Sequence, residues 1–88
     1  MDDFLDLMSE INPEALYPTN LDEAIIGFVE RCSQQPLILL DKNKCLEIFQ
    51  KKDGMTPEEA QEFFDFNVLG AWMGEGTPCF ATLNKNII

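Results

Sequence analysis

Apolar residues recur at helical spacing over Leu21, Ile25, Phe28, Val29 and Cys32 in LDEAIIGFVERC. Asn20 stands before them as an N-cap and Glu23 follows three residues on, as in a capping box, so the pattern predicts a helix from 21 to 33. SQQP breaks that pattern, and LILL, short and sharply bounded, reads as a buried strand over 37–40. Asp41 is placed to cap the next helix, with Leu40 packing on Cys45 as a hydrophobic staple. That helix, DKNKCLEIFQKKDG, has an apolar side of Cys45, Leu46, Ile48 and Phe49, and Gly54 ends it. Its last lysines suit the negative pole of the helix dipole.

TPEE carries the sharpest local signal. Thr56 is the N-cap, Pro57 holds the first helical position and Glu59 reaches back to close the box. The apolar positions that follow, Ala60, Phe63, Phe64, Phe66, Val68, Ala71 and Trp72, cover most of the circumference. The later turns are therefore expected to be buried on several sides until Gly74 and Gly76 stop the helix. TPCFATL then alternates Cys79, Ala81 and Leu83 against Phe80 and Thr82, as a strand does. Ahead of all this, DDFLDLMSE fits two helical turns with Phe4, Leu5 and Met8 on one side, while Pro13 and Pro18 hold INPEALYPTN extended. So short a helix is marginal alone, and it either docks on the domain or waits for a partner.

The order is (α)-α-β-α-α-β, an α+β domain whose two strands pair with each other and pack against the helices. Residues 1–20 form an acidic N-terminal segment, 21–84 the globular domain and 85–88 a loose tail. The 88 residues leave no room for a second domain, and one this small has a thin stability margin. The acidic start and the lack of a long apolar run point to a soluble, cytoplasmic chain. Cys32, Cys45 and Cys79 are odd in number and widely spaced, which suits a reducing compartment and three small buried apolar side chains.

Sixteen acids against six bases give a net charge of -10, which disfavours nucleic acid and anionic membranes as partners. The charge is uneven: eight acids and no base lie in residues 1 to 30, and Lys42, Lys44, Lys51 and Lys52 share one segment. The aromatics of EFFDFNVLGAWMGEGTPCF read as core. Gly70 there would let another element approach, and Asn67, amid apolar neighbours, is expected to bond backbone near the GEGTP turn.

The run from Asp22 to Ala81 resembles a group of small hypothetical proteins encoded by bacteriophages and prophages, chiefly in EEA, FFDFNV, GAW and GEGTP. The similarity covers about two thirds of the chain and leaves out residues 1 to 20. It implies a phage origin and supplies no catalytic residues.

The absence of histidine removes the common nucleophile pairs and most general-base arrangements, and no CxxC pair suggests zinc. DKNKC opens like a calcium loop, but Leu46 and Lys52 stand where glycine and a bidentate glutamate are required. Glu58, Glu62 and Asp65 can share a helix face and collect a cation, though a solvated face is the plainer reading. GEGTP lacks a GK[ST] signature and a preceding strand. No catalysis, cofactor or metal is expected.

The leading expectation is an acidic binding protein that occupies a basic surface on another protein, steered by its carboxylates. In a phage protein this becomes inhibition of a host nucleic-acid-handling or defence protein, an anti-CRISPR role among them. The acids expected to act are Asp2, Asp3 and Asp6 in the tail, and Glu58, Glu59, Glu62 and Asp65 on the capped helix. A variant places Phe4, Leu5 and Met8 in a partner's apolar groove. The alternative is a pocket for a nucleotide-like ligand formed by Asn67, Trp72, Glu75 and Thr77. A small subunit of a homo-oligomer is a third.

Overall fold

The structure, a computed structural model, describes residues 2–18, 20–71 and 73–84. Three helices and a three-stranded mixed sheet make an α+β domain in the order α1 (Asp2–Ile11), β1 (Ile25–Val29), β2 (Leu37–Asp41), α2 (Lys42–Asp53), α3 (Pro57–Phe63) and β3 (Cys79–Ala81). β2 is the central strand, antiparallel to β1 and parallel to β3. The expected pair of strands is present and a third joins it. The tail from 85 to 88 lies outside the described residues.

The third strand replaces the helix expected over 21–33. Only one 3-10 turn, Asp22–Ala24, forms there, and no side chain caps it. Ile25, Ile26 and Val29 are β-branched and Phe28 is aromatic, residues that fit a pleated surface better than a helix. The register shifts between Ile25 and Gly27, a β-bulge at which Gly27 takes φ +156°. Glu23, expected in a capping box, instead reaches Lys52 Nζ at 3.4 Å.

β2 and α2 form where local chemistry places them. Asp41 accepts a hydrogen bond from the Asn43 N–H (3.0 Å), and Leu40 and Cys45 are both fully buried in one cluster. Gly54 adopts the left-handed conformation (φ +68°) and its N–H returns to the Phe49 carbonyl. At the start of α3 both halves of the capping box are made, Glu59 N–H to Thr56 Oγ1 (3.2 Å) and Thr56 N–H to Glu59 Oε1 (2.8 Å).

The far end of α3 departs from expectation. Beyond Phe63 the chain widens into a π-helical turn, Phe64–Leu69, and the Gly70 N–H bonds the Asp65 carbonyl five residues back (3.1 Å). The helical run thus stops ahead of Gly74 and Gly76. It is also buried on one side only: Phe64 is fully enclosed, Val68 packs on the core, and Phe66 stands 80% exposed. A Cβ at Gly70 would meet this turn's own carbonyls, Asp65 O at 2.9 Å among them, rather than another element.

The core joins Met8, Leu21, Ala24, Ile38, Leu40, Cys45, Ile48, Phe49, Ala60 and Phe64. Edge-to-face contacts of Phe49 with Phe63 (5.0 Å) and Phe64 with Phe80 (5.1 Å) link α2 to α3 and the π turn to β3. α1 contributes Met8 directly, and its Phe4 lies 6.4 Å from Phe28 of β1, so the N-terminal helix docks on the sheet. The buried amide is Asn12, not Asn67. Its Nδ2 donates to the Pro36 carbonyl (2.9 Å) and its Oδ1 accepts from the Glu14 N–H (3.1 Å), an Asx-turn that joins α1 to the loop before β2. Of the cysteines only Cys45 is buried; Cys79 is half-buried and Cys32 exposed in the β1–β2 connection, where no strand covers it.

Candidate functional site

The acids singled out in the sequence fall on two helices. Asp3 and Asp6 are exposed on α1; Asp2 gives its backbone to the first turn, and its side chain lies outside the described residues. Glu58, Glu59 and Glu62 are exposed on α3, and Asp65 on the π turn that follows. Glu59 is held by the capping box, and Asp65 Oδ1 accepts from Gln61 Nε2 (3.0 Å). Only two ion pairs occur among the described residues, Lys44 with Glu47 (3.6 Å) and Lys52 with Glu23 (3.4 Å). Lys42 lies over the Phe64 ring, 5.5 Å from its centroid. Lys42, Lys44 and Lys52 are thus engaged with the core, their own helix and β1's lead-in, and among the described residues no cation pairs with the exposed acids of α1 and α3. Among the described residues no group of acids or cysteines is arranged to hold a metal ion, and no helix is long and apolar enough to cross a membrane.

Phe4, Leu5 and Met8, expected to enter a partner's groove, pack against the domain's own core. That side of α1 is occupied, because burying it on the sheet is what holds so short a helix in place.

The residues expected around a ligand divide between two adjoining depressions that share Thr77. Asn67 and Thr77 line one cavity of about 130 Å³ with Leu16, Val68, Met73 and Phe80. Glu75 and Thr77 line a wider groove of about 390 Å³ with Arg31 and Gln34, and Trp72 lies outside the described residues. The Thr77 hydroxyl accepts from the Met73 N–H (2.8 Å) and donates to the Gly74 carbonyl (2.7 Å), so it serves the GEGTP turn. A volume of about 130 Å³ falls below the roughly 300 to 1,000 Å³ of small-molecule sites. It suits one side chain better than a nucleotide.

Sequence reasoning missed the exposed apolar band on this face. Phe63 and Phe66 line a shallow depression with Met55, Glu59, Glu62 and Asn67. Asn67 is also a wall of the small cavity, beside which Met73 is 67% exposed. The signal was present as too many apolar positions for one helix face, since Phe63, Phe64 and Phe66 point in three directions. No protein-family model, curated protein or solved structure matches the chain.

Proposed function

We propose that the protein is a non-enzymatic acidic binding protein that occupies a basic surface on another protein. Following the resemblance to small phage proteins, the partner is a host nucleic-acid-handling or defence protein, which the bound carboxylates inhibit by standing where phosphates would. The observation that carries this reading is the set of exposed acids on α1 and α3 that pair with no cation among the described residues, on a capped helix in the second case. Fixed carboxylates steer a basic partner and raise its association rate, an effect that salt screens.

The test is capture from bacterial lysate on the immobilised chain, eluted in rising salt and with competing DNA. A nucleic-acid-handling protein released by both, and not retained by a Glu58→Gln, Glu62→Gln, Asp65→Asn variant, is the expected result. Retention unchanged by those three substitutions would sink the role given to α3.

A further inference from the structure

We propose that the band formed by Phe63, Phe66 and Met73 is the docking surface for a basic amphipathic segment of the partner protein, one of whose apolar side chains enters the cavity beside Asn67. This rests on the reading of the chain as an acidic binder and names the place where the partner sits.

Single exposed apolar residues are ordinary; several gathered about two adjoining depressions are not. Phe66 is 80% and Met73 67% exposed, and Asn67 is a wall of both depressions between them. The backbone that presents Phe66 and Asn67 is a π turn, a rare conformation that recurs at functional sites. Here it holds Phe64 in the core while Phe66 faces out.

Charge selects the occupant. Glu59 and Glu62 line the same depression as Phe63 and Phe66, with Glu58 and Asp65 exposed on the same helical run. An apolar centre with a carboxylate rim fits a segment with Leu- or Phe-like anchors flanked by Lys or Arg. A second copy of this chain fits poorly. Its net charge is -10, and three of its five described cations, Lys42, Lys44 and Lys52, are engaged with Phe64, Glu47 and Glu23, which leaves Arg31 and Lys51 against an acidic rim. The cavity of about 130 Å³ admits an anchor side chain and little more.

The full chain is titrated calorimetrically with two synthetic helical peptides of equal positive charge, one with a leucine face opposite its lysines and one with serine at every leucine position. The expected result is a leucine-lysine peptide that binds at least about tenfold more tightly than the serine-lysine one, as befits a buried anchor. Phe66→Ser and Met73→Ser each remove that advantage and leave the weak serine-lysine binding as it was. Glu62→Gln lowers the salt dependence of both. Equal binding of the two peptides, or a Phe66→Ser variant that behaves as the parent, overturns the docking surface and leaves the electrostatic reading standing. No binding of either peptide overturns both. A parent chain that sediments as a dimer and becomes monomeric with Phe66→Ser would show that a second copy covers the band, and would also overturn the proposal.

Discussion

Cys45 shows how far one side chain's chemistry follows from where the fold puts it. It sits at the fourth position of α2, against Leu40, with no exposed surface. Burial pushes its thiol up to about 11, and the Asp41 carboxylate at the head of the same helix adds to the rise. An unfolded cysteine ionises near about 8.5. The folded state therefore keeps its proton where the unfolded chain has lost one. The stability this contributes is complete below about pH 8.5 and is lost as pH climbs toward about 11. Chemical denaturation midpoints should fall over that window, and the fall should be shallower in Cys45→Ala, although that variant is weaker at neutral pH for lack of packing. Parallel curves for the two proteins would exclude the thiol as the cause. The sequence pattern treated all three cysteines alike. What separates them is that Cys45 lies on a helix face with a staple partner, whereas Cys32 lies in a connection whose exposure depends on a strand the pattern did not give.

At the scale of elements, α2, the start of α3 and the strands β2 and β3 were legible, and β1 was not. Asp41, Gly54, Thr56 and Glu59 act within a few residues of themselves, and α2 and the start of α3 appear where those residues require. β1 has apolar residues that satisfy a helical period and a strand equally, and its pairing with β2 decides the matter. The exposed band was illegible for a related reason: only the phase change at the π turn determines which of Phe64 and Phe66 turns outward. Pro13 reads as holding its segment extended, and neither the Asx-turn at Asn12 nor its use as a clasp shows in the pattern. There the Leu16 N–H bonds the Gly76 carbonyl (2.9 Å), and a Cβ on Gly76 would overlap the Glu14 carbonyl oxygen. Both neighbours are backbone and cannot swing aside. Gly76→Ala should cost about 1 to 3 kcal/mol, as overpacking does, and lower Tm by at least about 4 °C in a domain of this size. An unchanged melting curve would mean that the segment after α1 adds little to the fold.

At the scale of the whole molecule, stability and binding respond to salt in opposite senses. The domain measures 37 × 25 × 25 Å, so at about 10 mM salt, where the Debye length is about 30 Å, nearly all its carboxylates repel one another. At about 150 mM the length is about 8 Å and only neighbours interact. Screening also weakens the attractive pairs, but Lys44–Glu47 and Lys52–Glu23 are exposed and each contributes at most about 1 kcal/mol. With sixteen acids against six bases, repulsion is the larger quantity. Tm should therefore rise as sodium chloride goes from about 10 to about 150 mM, while affinity for a lysine-rich peptide falls over the same interval. The two measurements on one sample check each other. If Tm fell as well, attraction within the chain would outweigh repulsion, and the acids of α1 and α3 would have to be neutralised by groups of the protein itself. They would then not be the surface held ready for a basic partner.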